Sequence, residues 1–152
     1  MRNWRRISGS LATAAICNLA CRSGTAGEPS ISTAGHTRGA LLRAYTREQV
    51  DTAARFGGEE FVLLLPDTGL DGAQAVAEKI ASRLRNEAFD VAGERFFVTQ
   101  SVGIAEVVEG DVGWALRVAD RNLYRAKQAG RDRIVATVAF AEDASLNLNP
   151  HS

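Results

Sequence analysis

Cysteine and histidine are scarce: Cys17 and Cys21 are the only thiols, and His36 and His151 the only imidazoles, among 152 residues. Two cysteines cannot supply a disulfide framework, and with two scattered histidines there is no four-ligand zinc set. An excess of either charge is missing too, because 18 basic and 18 acidic side chains cancel. That balance argues against a general nucleic-acid binder, which needs a basic face to neutralise phosphates. No apolar run approaches the roughly 20 residues that cross a bilayer, so no membrane span is expected in this chain. What is plentiful is aliphatic: 45% of the residues are hydrophobic, enough to fill the core of one domain and to exclude wholesale disorder.

The acids are unevenly spread. Residues 1–47 hold seven arginines and a single acid, Glu28, whereas the other seventeen acids fall in the remaining 105 residues. This first third is rich in Ser, Gly, Thr, Ala and Arg and shows neither strand alternation nor a helical stripe, so it is expected to be irregular. Arg2, Arg5 and Arg6 before a weakly apolar stretch imitate an export signal. Ser8, Gly9, Ser10, Thr13 and Asn18 dilute that stretch, and a cytoplasmic location is expected. The domain proper is expected over 48–140, truncated at its start, with 141–152 a disordered tail.

From Asp51 onward the pattern is legible. Ala53 to Phe56 and Phe61 to Leu65 are short apolar runs separated by Gly57 and Gly58, which suit a tight hairpin turn. FVLLL is apolar on both alternating faces and reads as a strand covered on both sides, ended by Pro66. Leu70 to Phe89 sets Ala73, Val76, Ala77, Ile80 and Leu84 at helical spacing, with Glu78, Lys79, Arg83 and Arg85 on the other face. Phe96 to Val108 reads as strand, Asp111 to Ala129 as a second helix stopped by Gly130, and Ile134 to Val138 as a last strand. Strands and helices alternating after a hairpin give an α/β sandwich with helices over a mixed sheet.

The candidate chemistry begins at the hairpin. Glu59 and Glu60 follow the glycine pair directly, and successive strand residues face opposite sides, so only one carboxylate points into a given site. A hard divalent cation such as magnesium or manganese favours carboxylate oxygen and keeps waters or substrate phosphates as further ligands. The plainer alternative is an exposed turn with solvated charges. At the end of the second helix, Lys127 and Arg131 lie four apart beside Gly130 and suit phosphate oxygens as point charge and fork. There the alternative is a solvated helix terminus, where the helix dipole also favours cations.

RFGGEEFVLLLP at 55–66, VTQSVGIA at 98–105 and ADRNLYRAKQAGRDRI at 119–134 resemble, in order and spacing, the GGDEF family of diguanylate cyclases. The resemblance covers about 51–138. It implies a palm-like, ferredoxin-related fold and a reaction joining two GTP molecules into cyclic di-GMP with release of pyrophosphate, across a homodimer that presents one GTP per subunit. It also implies Glu59 as metal ligand and base, Glu60 as the signature's fixed acid, and Gly57 and Gly58 as room for the nucleotide. Lys127 and Arg131 match the phosphate-binding pair, while Arg55, Thr99, Ser101, Gly103 and Asp120 are assigned to the site's walls.

The departures lie upstream. In the family, a strand ahead of the hairpin carries a metal-binding Asp, then an Asn and an Asp that read guanine, around a Gly-His pair. Alignment on Gly35-His36 puts Ser23, Ile31 and Ala40 at those positions, so impaired catalysis is expected. The family's inhibitory product site, Arg-x-x-Asp, has its Asp at Asp51, but the Arg position holds Glu48 and the nearest arginine is Arg47. The alternatives are a catalytically silent nucleotide-binding or dimerisation module and a non-functional gene remnant, with residues 1–47 read from a wrong frame or joined by a deletion.

Overall fold

The computed structural model describes residues 12–23, 42–44, 46–48, 50–57, 59–91, 93–107 and 110–138. Its described strands are β1 (Ala12–Ser23), β2 (Thr52–Arg55), β3 (Glu60–Pro66), β4 (Phe89–Val91), β5 (Glu94–Val107) and β6 (Ile134–Val138), with helices α1 (Leu70–Asn86) and α2 (Val112–Gln128). They form one mixed sheet in the order β2-β3-β1-β5-β4, with β6 also beside β5. All described pairings are antiparallel except β5 with β6.

The doubly apolar reading of FVLLL holds. Phe61, Leu63 and Leu65 pack with Ala73, Ala77, Ile80 and Leu84 of α1 on one face of the sheet. Val62 and Leu64 pack with Ala115, Val118, Ala119 and Leu123 of α2 on the other. Among the described residues α1, with Leu42 beside it, covers one face and α2 the other, which makes a three-layer α/β arrangement around β1, β3 and β5.

The expectation of irregular structure across 1–47 is corrected for residues 12–23. They form β1, the strand between β3 and β5, in register from Ala12↔Pro66 to Asn18↔Glu60 on one side and from Ala12↔Val107 to Ser23↔Phe96 on the other. Ala15, Cys17 and Leu19 enter the α1-side core, while Ala12, Ala14 and Ile16 enter the α2-side core. A strand covered on both faces needs no polar alternation, so ATAAICNLA carries no period-two signal. Thr13, one of the residues that dilute the run, is satisfied internally: its Oγ1 donates to the Thr68 carbonyl at 2.7 Å. Leu42 also lies in the α1-side core. The expected tail at 141–152 lies outside the described residues.

Element ends differ where a turn intervenes. The first helix stops at Asn86 rather than Phe89 because Phe89 opens β4, which pairs with β5 from Phe89↔Phe96 to Val91↔Glu94. Gly93 at φ 82° serves that hairpin. The second helix is capped by Asp111, whose carboxylate accepts from the Trp114 amide at 2.8 Å. Gly130 at φ 112° stops it as expected.

Candidate functional site

The β2–β3 turn carries the glycine–glutamate signature. Phe56 and Gly57 both donate their amides to the Glu60 carbonyl, at 2.8 and 3.3 Å, and Arg55 Nε donates to the Gly57 carbonyl at 3.1 Å. Gly57 does not have a positive φ. What its missing side chain provides is space, since a Cβ built there meets nothing within 4 Å. Gly58 lies outside the described residues. The Phe56 ring beside the signature is 71% exposed. Glu59 is exposed on the turn, while its carbonyl accepts from the Leu19 amide at 3.0 Å, which ties the turn to β1.

Glu60 opens β3 and behaves differently. Its Cα partner is Asn18 on β1, whose partner on β5 is Ser101. Directly paired residues of antiparallel strands share a face, so Glu60, Asn18 and Ser101 make a polar row. That row lies on the α2 side of the sheet, in line with Ile16, Val62 and Gly103. Gly103 lets α2 approach closely: a Cβ there would drive into the Ala119 carbonyl and the Leu123 amide. This seating brings Lys127, in the last turn of α2, to Glu60, with Nζ 3.3 Å from Oε1.

Beyond α2 the chain turns through three left-handed residues, Gly130, Arg131 at φ 63° and Asp132 at φ 46°. The Arg131 amide donates to the Ala126 carbonyl at 2.9 Å, and the Asp132 amide donates to Ser101 Oγ at 3.1 Å. Arg85 of α1 reaches the Asp132 carboxylate at 3.0 Å. The loop is thus pinned to β5 and to the helix on the opposite face, and Arg131 is held at the helix end with its side chain exposed.

Of the sequence-derived site residues, the structure brings Glu60 and Lys127 together, sets Glu59 on the adjoining turn beside the open space at Gly57, and leaves Arg131 exposed one loop away. Ser101 and Gly103 do serve as walls, through the Asp132 amide and the α2 contact. Thr99 is on β5 opposite Ala20, and Asp120 is on α2. The alignment of Ser23 with a site position is not supported. Ser23 pairs with Phe96, five residues past the β1 residue that faces Glu60, or about 16 Å along the strand. The residue found at the signature is Asn18, which sequence reasoning counted only as a polar blemish in an apolar run. Ile31, His36 and Ala40 lie outside the described residues.

Residues 12–23 contain no acid, so β1 offers no carboxylate to the site. Among the described residues no cluster of three or more His, Cys, Asp or Glu could enclose an ion. Exposed Glu59 is one carboxylate of the kind a hard cation favours, and such a cation commonly completes its shell with water and substrate phosphate. Among the described residues no helix is long and apolar enough to cross a membrane.

A six-stranded sheet with α1 on one face and α2 on the other, and a glycine–glutamate turn facing a lysine from a helix end, define a palm-like α/β domain. The family model for the diguanylate cyclase GGDEF domain matches residues 36–133, and the chain belongs to that family. It is 44% identical over 87 residues to diguanylate cyclase DgcP of Pseudomonas aeruginosa, a match covering 57% of this chain and 13% of the relative. It is 39% identical over 104 residues to the response regulator PleD of Caulobacter vibrioides, covering 66% of this chain and 23% of the relative. The chain therefore spans less than a quarter of either relative. The FimX GGDEF domain of P. aeruginosa superposes with a TM-score of 0.73 over 88% of this chain and 84% of that one, at 21% identity, a likeness of fold. The family generally uses divalent metal ions.

Proposed function

We propose that the chain acts as a diguanylate cyclase domain of reduced competence, binding GTP at the β2–β3 turn and condensing two GTP into cyclic di-GMP with release of pyrophosphate. The observation that carries this reading is the meeting of Lys127 with the signature Glu60 across 67 residues of sequence, at 3.3 Å. Exposed Glu59 and the space at Gly57 adjoin that pair. The family-like sequence is taken to run over 48–140, with β1 completing its sheet from upstream.

Each residue has a chemical assignment. Gly57 and Gly58 leave room for the nucleotide. Lys127 and Arg131 contact phosphate oxygens, as charge and fork. Glu59 holds magnesium or manganese and accepts the proton of the attacking 3′ hydroxyl, and Glu60 is the second signature acid. Bound metal supplies charge neutralisation at the phosphates and at the leaving pyrophosphate. Two domains in an antiparallel homodimer each present one GTP, and nucleic acid has no part. The assignment places the domain in the cytoplasm, where GTP is available.

Reduced competence follows from β1. With Asn18 beside Glu60 and no acid along the strand, one metal-binding carboxylate of the resemblance is missing. Slow or absent turnover of GTP with magnesium is the expected result for the purified chain. The same observation favours the second reading, a silent module that binds nucleotide without converting it, and product chromatography separates the two. Rapid cyclic di-GMP formation would overturn the claim of impairment.

GTP affinity measured with and without magnesium tests the site itself. Glu59→Gln keeps shape but removes the charge that draws the cation, so magnesium-dependent binding should fall about tenfold, or roughly 1.4 kcal/mol. Lys127→Ala should weaken binding in both conditions. Parent-like magnesium–GTP affinity in Glu59→Gln would reduce Glu59 to a solvated turn charge.

A further inference from the structure

The ion pair between Lys127 and Glu60 is half-buried, with the side chains 26% and 32% exposed. Beside it Asn18 is only 6% exposed, and its side chain makes no hydrogen bond among the described residues. Asn18 is also the direct cross-strand partner of Glu60. Side chains so placed have Cβ atoms about 4.5–5.5 Å apart, within hydrogen-bonding reach after a rotamer change.

We propose that Glu60 is a counter-ion that parks Lys127 in the nucleotide-free domain and hands it over to an incoming polyphosphate, while the Asn18 amide takes the vacated place on the Glu60 carboxylate. The proposal rests on the reading of Lys127 as a phosphate contact and gives Glu60 and Asn18 positioning parts in that contact. Lysine suits the exchange because its ammonium is a compact charge on a long flexible stem, able to turn from one oxygen to another. The carboxylate left behind cannot leave the sheet and repels the arriving anion, so a neutral donor beside it lowers the cost of the exchange. An acid at position 18 would raise that cost instead.

The test is calorimetric titration of inorganic triphosphate, in chelator and without metal, into the full chain and its variants, each first shown to unfold cooperatively. Lys127→Met should bind about tenfold more weakly, having lost the charged contact. Glu60→Gln should bind about threefold more tightly or better, since a repelling charge and a competitor for Lys127 are removed together. The double variant should bind only slightly more tightly than Lys127→Met, because the repelling charge is gone but no lysine remains to be freed, so the gain should be smaller than the one Glu60→Gln gives in the parent. Asn18→Ala should bind about threefold more weakly, an effect that should vanish in the Glu60→Gln background. If Asn18→Ala fails to fold, Asn18→Asp keeps the volume, removes the donor and should weaken binding further.

The outcomes separate the two claims. Parent-like binding by Lys127→Met overturns the phosphate reading and the exchange with it. Weakened binding by Lys127→Met, together with unchanged or weaker binding by Glu60→Gln, overturns the exchange alone. A weakening by Asn18→Ala that persists in Glu60→Gln removes Asn18 from it.

Discussion

Gly103→Ala places a methyl group where α2 rests on the sheet. The added Cβ would fall inside contact distance of the Ala119 carbonyl oxygen and the Leu123 amide nitrogen, and would sit 2.9 Å from Leu123 Cα, where ordinary contact begins at 3.4 Å. All three atoms are backbone, so no rotamer change relieves the clash and the helix must retreat. A gap of 0.5–1 Å forfeits about a quarter to a half of the dispersion across a packed interface. On this side α2 buries Val112, Val118 and Leu123 together with three alanines, each large side chain contributing about 1.5–3 kcal/mol. The retreat also stretches the bonds from Asn122 Nδ2 to the Ile104 carbonyl and Thr137 Oγ1, now 2.9 and 2.8 Å. The total is about 3 kcal/mol, at the upper end for overpacking, and lowers the melting temperature by roughly 10 °C. Gly113→Ala is the control on the same helix, since its Cβ meets only Asp111 Oδ1 at 3.5 Å. Helix propensity should leave that variant within about 1 kcal/mol of the parent. Urea denaturation of the three proteins measures both values. A Gly103→Ala protein within about 0.5 kcal/mol of the parent would refute the close seating of α2 and, with it, the placement of Lys127.

Two further expectations follow from buried or engaged groups. Burial pushes the Cys17 thiol from its ordinary 9.0 to about 12, so above pH 9 the unfolded chain releases a proton that the folded chain retains. Stability that is complete below pH 9 is then lost as pH rises toward 12, at about 1.4 kcal/mol per unit. The urea midpoints of the parent should therefore fall more steeply with pH than those of Cys17→Ala, and parallel slopes would refute this. Arg47 holds both Asp51 carboxylate oxygens, with Nη2–Oδ1 at 2.7 Å and the backbone amide to Oδ2 at 2.7 Å, and it also reaches the Pro66 carbonyl and Thr68 Oγ1. The hydrogen bond to Asp51 raises the Arg47 pKa above its usual range. With the Asp51 side chain 4% exposed, no sub-micromolar binding of cyclic di-GMP is expected by calorimetry. A tight site lost in Asp51→Ala would show otherwise.

The parts of the fold legible in the sequence are those whose burial leaves a periodic trace. Both helices expose one face, so Ala73, Ala77, Ile80 and Leu84, then Ala115, Leu123 and Ala126, recur at helical spacing and mark their buried sides. β3 was legible because five large apolar residues in a row have few other uses. β1 has neither mark. It is buried on both faces, it is built mostly from small residues, and Thr13 and Asn18 interrupt it. β4 was missed because three residues carry too little pattern. The site was legible only as separate motifs, since no local rule states that residues 60 and 127 meet.

The missed strand also fixes the geometry of the motifs that were found. β3 and β5 do not pair with each other; β1 lies between them. Two interstrand steps of about 4.8 Å therefore separate Glu60 from Ser101, with Asn18 at the middle of the row. Ser101 holds the Asp132 amide and thereby the loop that follows α2, Gly103 sets how closely that helix lies, and Lys127 reaches Glu60 from its last turn. Without a strand in this place, β3 and β5 would each expose an unpaired edge, and the span that Lys127 crosses would have no defined width. The segment that looked foreign by composition thus sets the distance between Glu60 and the end of α2, with Asn18, a neutral amide, at the β1 position paired with Glu60.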